Sequence, residues 1–223
     1  MVKLGFIGLG IMGSRMAANL QKKSYELIVH NRTKSKAEAL LANGATWAET
    51  PAELARQVDV LFTMLASPPV VEQVALGRSG FLDQLRQGAI WVDCSTVNPS
   101  FSRRMAAEAS ERGVRFLDAP EAGTKGPAER GELVVLVGGE QADFQACQPF
   151  LEAFGRKVIN VGGYGMGTSM KMVMNLLLGQ AMVAFSEAMA LGQTLGIAQE
   201  MLFNTLLGGP MVAPFVAGKR AHI

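Results

Sequence analysis

The first twenty residues constrain this chain more than any other stretch. Lys3 to Leu20 reads Lys-Leu-Gly-Phe-Ile-Gly-Leu-Gly-Ile-Met-Gly-Ser-Arg-Met-Ala-Ala-Asn-Leu. The apolar run Leu4 to Ile7 predicts a buried strand. It breaks into Gly8-Leu9-Gly10-Ile11-Met12-Gly13, the spacing G-x-G-x-x-G, and then into a helical pattern. Gly8 lets the strand turn tightly, Gly10 lets the backbone approach a pyrophosphate, and Gly13 lets the new helix pack closely on the strand. The helix then turns unpaired N–H groups and its positive end toward phosphates. The spacing alone is weak evidence. A strand before it and a helix after it are the context that gives it meaning.

A second strand, Glu26 to His30, follows at the expected distance and ends in Asn31-Arg32-Thr33, with Lys34 and Lys36 behind. An acidic residue at this point would favour NAD by bonding the ribose 2′-hydroxyl. A guanidinium suits a 2′-phosphate instead and can stack on adenine. A solvated basic turn is the plain alternative, and the glycines upstream weigh against it. The expected cofactor is NADP, as NADPH, ahead of NAD.

At 223 residues and 49% apolar, the chain can bury a full core. A net charge of +2, with no basic stripe interleaved with aromatics, disfavours nucleic-acid binding. Cys94 and Cys147 stand far apart, without a Cys-x-x-Cys or a His cluster, so no metal site is expected. With only His30 and His222, a Ser-His-Asp triad lacks parts as well. Two isolated cysteines fit a reducing cytoplasm, and the short apolar run at the N-terminus does not read as a signal peptide. Met172 to Ser186 is long, apolar and uncharged, but falls short of the roughly 20 residues a membrane span needs. The expectation is a buried helix and no membrane association.

Along the chain, Lys34 to Asn43 reads as a helix closed by Gly44, with a short strand near Thr46 and Trp47. Pro51 opens another helix. Asp59 to Leu65 is a buried strand ending at Ala66-Ser67-Pro68-Pro69, at the edge where open α/β sheets bind ligands. A helix from Val70 to Leu76 precedes the strand Ala89 to Cys94. Ser95-Thr96 and a helix from Asn98-Pro99 to about Arg112 follow, then Val114 to Leu117 and the loop Asp118 to Gly126. Leu133 to Val137 and Val158 to Val161 are two further strands, separated by a helix from Glu140 to Phe154. This regular alternation predicts an α/β, Rossmann-type, doubly wound and mainly parallel sheet. The dinucleotide-binding domain is expected over 1–162. From Gly165 the pattern is helical, running to about Leu195, roughly 45 Å at 1.5 Å per residue. That reads as a long interdomain helix and the start of an incomplete all-α domain over 163–223. Two shorter helices, about Ala198 to Leu207 and Val212 to Ala217, precede Lys219 to Ile223, where no closing element is expected.

Lys171 and Asn175 are four apart on the long helix and therefore share a face. Their neighbours Met170, Met172, Val173, Met174, Leu176, Leu177 and Leu178 are apolar, so the pair needs partners or a purpose. Taken alone, a snorkelling lysine and an asparagine bonded to a loop would be the better account. Beside a dinucleotide fold the balance shifts. Hydride transfer to a carbonyl develops negative charge on oxygen, and a lysine near the nicotinamide can protonate it, or act as base in reverse.

These residues resemble the β-hydroxyacid dehydrogenase family, which includes 3-hydroxyisobutyrate dehydrogenases, tartronate semialdehyde reductases and glyoxylate/succinic semialdehyde reductases. Gly5 to Leu20 looks like the family's cofactor motif, and Asn31-Arg32-Thr33 like its NADP-preferring form. Asp93-Cys94-Ser95-Thr96 is similar to its nicotinamide-side strand end, and Gly165 to Asn175 to its catalytic helix. The resemblance implies Lys171 as general acid/base and Asn175 as its substrate-orienting neighbour. It implies Met64, Leu65 and Ala66 against the nicotinamide ribose, and Thr96 against the nicotinamide. Ala122, Gly123 and Thr124 would hold a substrate carboxylate.

Two departures accompany the resemblance. The family's substrate loop usually reads Pro-Val-Ser-Gly, whereas this chain has Pro120-Glu121-Ala122-Gly123. Ala122 lacks a hydroxyl that would contact substrate, and Glu121 adds a carboxylate. Family members also run longer, with a later Lys-Asp pair that completes the site, so this chain is expected to be a fragment or to rely on another chain. The loop Thr124 to Glu129 followed by Gly131 looks closer to the glyoxylate/succinic semialdehyde reductases. The expectation is an NADPH-dependent reductase of small carboxylate-bearing aldehydes or 2-oxo acids, forming a homo-oligomer through its helical region. A 3-hydroxyisobutyrate-type dehydrogenase working in the oxidising direction is the alternative within the class. A non-catalytic dinucleotide-binding module is the alternative outside it, favoured by Ala122 and opposed by Lys171 and Asn175.

Overall fold

The computed structural model describes residues 2–218, so the expectation for Lys219 to Ile223 lies outside the described residues. The chain divides into two compact units, up to Lys171 and from Met172 onward.

In the first unit, β1 (Leu4–Ile7) leads through α1 (Gly13–Lys22) to β2 (Leu27–His30). A 3-10 turn at Lys34–Ala37 and the short α2 (Glu38–Ala42) stand where one helix was expected. Thr33 makes no capping bond that would start a full helix there. Then follow β3 (Thr46–Trp47), α3 (Pro51–Ala55), β4 (Val60–Thr63), α4 (Pro68–Leu76), β5 (Ile90–Asp93), α5 (Pro99–Glu111) and β6 (Arg115–Asp118). α4 begins two residues earlier than expected because proline suits the first helical turn. The unit closes with β7 (Glu121–Ala122), α6 (Lys125–Arg130), β8 (Leu133–Gly139), α7 (Gln141–Leu151) and β9 (Gly155–Gly162). The start of α8 (Met166–Thr194) follows.

The strands form one sheet in the order β3-β2-β1-β4-β5-β6-β8-β7, with β9 beside β8. From β3 to β6 every pairing is parallel. β1 lies between β2 and β4, so the direction of winding reverses there and opens a crevice at the carboxyl ends of the strands. β8 runs antiparallel to β6. The connection between them holds a single six-residue helix, too short to recross the sheet and return in parallel. β7 pairs antiparallel with β8; a two-residue strand leaves no periodicity to read.

Both faces of the sheet are apolar, as a parallel sheet flanked by helices requires. Leu4, Phe6, Val60, Phe62, Ile90, Val92 and Leu117 face one core cluster, together with Met16 and Leu20 of α1. Ile7, Leu61, Trp91 and Phe116 face the other, with Leu54, Val71 and Met105 from α3, α4 and α5. Each such fully buried side chain stabilises the fold by about 1.5–3 kcal/mol relative to leaving it exposed.

The second unit consists of α8 from Met172 onward, α9 (Gln199–Leu207) and α10 (Pro214–Ala217). Phe185, Met189, Leu202 and Val216 form its small core. The expectation that Met172 to Ser186 is a buried helix is corrected here. Leu176, Leu177 and Val183 are 61%, 68% and 58% exposed, because two short helices cover only the stripe that carries Phe185 and Met189. By length and composition α8 is apolar enough to cross a membrane.

Candidate active site at the carboxyl edge of the sheet

The turn after β1 has the mechanics its glycines predict. Gly8 adopts φ +100°, a conformation open chiefly to glycine, and a side chain there would overlap the Met64 carbonyl. A methyl on Gly13 would overlap the Gly8 carbonyl, so α1 rests directly on the turn. Among the described residues, nothing lies within 4 Å of where a Cβ on Gly10 would stand. Leu9 is buried and Met12 packs on the core, while Ile11 is 70% exposed. α1 has no side-chain cap and no acidic residue in its first turn, so its N-terminal end keeps its positive character toward the crevice. These features fit a pyrophosphate.

The end of β2 is tied to this turn. The Leu9 N–H donates to Asn31 Oδ1 at 3.0 Å, and Asn31 Nδ2 donates to the Thr33 carbonyl at 2.9 Å. Asn31 thus braces the two loops against each other. Lys34 is committed to Glu49 at 2.9 Å and lies 5.1 Å from the centre of the Trp47 ring. Arg32 is exposed and has no ion pair or hydrogen bond among the described residues.

At the next two strand ends a chain of hydrogen bonds fixes both loops. Trp91 Nε1 donates to Thr63 Oγ1 at 2.8 Å, and the Thr63 hydroxyl donates to Asp93 Oδ1 at 2.8 Å. The Ser95 N–H donates to the same oxygen at 3.1 Å, and the Leu65 N–H to Ser95 Oγ at 2.9 Å. Asp93 is buried, which pushes its carboxyl up to about 6 against the pull of these bonds. The result holds Met64 and Leu65 half-buried at the crevice and leaves Ala66 and Thr96 exposed beside it.

Asp118, at the end of β6, anchors the helix that carries Lys171. Its Oδ1 accepts from the Gly165 N–H at 2.7 Å, and its Oδ2 from the N–H and hydroxyl of Thr168 at 2.8 and 2.9 Å. A carboxylate at a helix N-terminus answers both the unpaired N–H groups and the positive end of the dipole. Ser102 shares the Thr168 hydroxyl at 2.9 Å. The first turn also approaches the sheet without intervening side chains, since a methyl on Gly167 would overlap the Leu136 carbonyl. Lys171 follows one turn later, half-buried, and burial lowers its amine below the ordinary lysine range while Glu121 pulls the other way.

The loop after β6 runs into β7. Ala122 is half-buried, and Gly123 and Thr124 are exposed; the Thr124 hydroxyl does not cap α6. Gly8 to Gly13, Asn31 to Thr33, Met64 to Ala66, Thr96, Ala122 to Thr124 and Lys171 therefore all belong to loops or helix turns anchored at the carboxyl ends of the strands. Asn175 falls in the second unit, exposed, lining with Leu176, Gly179, Gln180, Val183, Ala184 and Glu187 a groove of about 520 Å³. No cluster of metal-ligating side chains occurs among the described residues.

Two carboxylates went unassigned on sequence grounds: Asp118 as the anchor of α8, and Asp93 as the brace of two loops. Each closes an apolar strand, which is the one available signal. Glu121 was noted for its charge, but not for its burial at 5% exposure or its proximity to Lys171.

The family described as the NAD binding domain of 6-phosphogluconate dehydrogenase matches residues 3–163. Glyoxylate/succinic semialdehyde reductase 1 of Arabidopsis thaliana is 35% identical over 218 residues, 98% of this chain and 75% of that protein. The mitochondrial 3-hydroxyisobutyrate dehydrogenase of Mus musculus is 39% identical over 194 residues, 87% of this chain and 58% of that protein. The chain thus spans between 58% and 75% of the length of these two relatives. Among solved structures, a Mycobacterium tuberculosis 3-hydroxyisobutyrate dehydrogenase with L-serine superposes with a TM-score of 0.86 at 29% identity. That match covers 96% of this chain and 72% of the other.

Proposed function

The chain belongs to the family built on the NAD-binding domain of 6-phosphogluconate dehydrogenase, with 3-hydroxyisobutyrate dehydrogenases and glyoxylate/succinic semialdehyde reductases as its relatives, and on that premise we propose that it is an NADPH-dependent reductase of small carboxylate-bearing aldehydes or 2-oxo acids. The observation that carries the reading is the setting of Lys171: half-buried, lowered by burial, and fixed by the Asp118 anchor near the edge where the glycine turn opens.

When bound, the dinucleotide supplies a hydride to the substrate carbonyl carbon. Gly8 to Gly13 hold its pyrophosphate against the start of α1. The free Arg32 guanidinium takes the 2′-phosphate, with Asn31 and Thr33 shaping the loop around it. Met64, Leu65 and Ala66 would line the nicotinamide ribose, and Thr96 the nicotinamide. Backbone N–H groups of Ala122, Gly123 and Thr124, with the Thr124 hydroxyl, hold the substrate carboxylate. Lys171 gives its ammonium proton to the carbonyl oxygen as negative charge develops there, and Asn175 orients the substrate. The domain division at 162/163 and a homo-oligomer formed through α8 belong to the same reading, the latter supported by the exposed Leu176, Leu177 and Val183. A cytoplasmic location is supported by two free, buried cysteines.

The lowered Lys171 amine also favours a second reading, oxidation of a 3-hydroxy acid with the neutral amine as base. Following NADPH absorbance with succinic semialdehyde and glyoxylate separately, with NADH alongside, tests the first reading. Turnover faster with NADPH and abolished by Lys171→Ala is expected. Unchanged turnover in that variant removes the mechanism, and NADPH binding without turnover of any carbonyl favours a non-catalytic binding module.

A further inference from the structure

Glu121 occupies a position from which its carboxyl cannot retreat. Its backbone is paired in β7 opposite Val135, its side chain is 5% exposed, and its Oε2 has no hydrogen-bond partner among the described residues. A buried carboxyl with an unsatisfied oxygen is costly. Lys171 is the cation that acts on it, though the two make no ion pair within 4 Å. From β5, Asp93 faces Glu121 as a like charge. Cys94 beside it stays a neutral thiol, pushed well above its ordinary range chiefly by burial. From β6, Asp118 is occupied by Gly165 and Thr168. Apart from the Glu121 backbone N–H, which also favours its charged form, Lys171 is the group that pulls the Glu121 carboxyl toward ionisation.

We propose that Glu121 is a positioning residue for Lys171: its buried carboxylate faces the amine and opposes loss of the ammonium proton, so that the acid form needed for reduction persists to higher pH than it would without Glu121. The catalytic meaning rests on the assignment of Lys171 as proton donor; the pairing itself does not. Burial pushes Glu121 up to about 8. Below that pH the carboxyl is neutral. Above it the carboxylate forms, and its charge opposes loss of the ammonium proton. In reduction, one Lys171 N–H bond breaks, the proton passes to the product oxygen, and the amine regains a proton from water.

The test uses the full chain labelled with ¹³C and ¹⁵N in lysine, the Lys171 resonance being assigned by its absence from Lys171→Arg. Without substrate or cofactor, the wild-type resonance should titrate in two steps, the first reporting Glu121. In Glu121→Gln the first step should vanish and the second should move down by about one pH unit. Glu121→Val, which also removes the buried charge, should do the same. The alkaline limb of carbonyl reduction should move with it, which a merely structural role would not produce. A Lys171 titration identical in wild type and both variants overturns the proposal, whatever the turnover. A shifted titration in a chain that reduces no carbonyl supports the pairing and removes the reductase reading.

Discussion

Asp118 and Thr168 are joined twice, one carboxylate oxygen accepting both the N–H and the hydroxyl of a residue fifty positions further along the chain. This bond pair, with the Gly165 N–H on the other oxygen, fixes where α8 begins and therefore where Lys171 stands. Thr168→Val keeps the N–H bond, loses the hydroxyl, and leaves Ser102 without that partner. It should cost about 1–3 kcal/mol in urea unfolding and lower kcat more than it raises KM, because the proton donor shifts while the carboxylate loop stays. A variant with wild-type stability and kcat would show that the anchor does not position Lys171.

Gly13 and Gly10 separate fold from ligand. A methyl on Gly13 meets the Gly8 carbonyl, so Gly13→Ala should destabilise the first unit by about 1–3 kcal/mol. The Gly10→Ala methyl meets nothing within 4 Å among the described residues. This variant should melt like wild type and yet weaken binding of NADPH, measured by quenching of intrinsic fluorescence. Tight binding by Gly10→Ala would remove the pyrophosphate from this turn.

Arg32 and Lys34 make a matched pair of controls. Arg32 has no ion pair or hydrogen bond among the described residues, so Arg32→Ser should leave stability untouched and reduce the preference for NADPH over NADH by roughly 10- to 100-fold, the worth of one charge-assisted contact. Lys34 is engaged with Glu49 and Trp47, and Lys34→Ser should change that preference far less. Equal effects from the two would point to general positive charge rather than a directed guanidinium.

The buried acids give stability a definite pH sign. Glu121 is raised from 4.5 to about 8 and Asp93 from 3.8 to about 6, both chiefly by burial. In those windows the native state binds more protons than the unfolded chain, so their contribution to stability is full below pH 4 and declines as pH rises toward 8. Glu121→Gln should therefore gain stability on wild type progressively between pH 4.5 and 8. Thermal melts at closely spaced pH values measure this, and a constant difference between the two proteins would mean that Glu121 titrates normally.

The parts of this fold that were legible are the local ones. Leu4 to Ile7 and Gly8 to Gly13 state a strand and its turn within ten residues, and Pro51 and Pro99 mark helix starts by fixed backbone geometry. β7 and the reversal of β8 were not legible, because pairing across a short connection leaves no periodic trace. The anchoring of α8 by Asp118 links residues far apart in sequence, and an aspartate closing an apolar strand reads equally well as a solvated loop residue. Leu176, Leu177 and Val183 misled for a different reason. Apolar composition records what a helix is able to bury, whereas their exposure depends on which surfaces are present to cover them. Lys171 was found by its spacing and its company, but the carboxyl facing it required the structure.

The contact between Gly167 and the Leu136 carbonyl has one more consequence. At Gly167, and at Gly138 against it, even a methyl would collide with backbone. Alanine, the smallest step in side-chain size, is therefore already too large on both surfaces. The helix cannot drift away from the sheet by a series of mild substitutions, each tolerated in turn. The distance from the lysine to the strand ends behaves as a notch rather than a dial, and a chain either keeps it or abandons it in a single step.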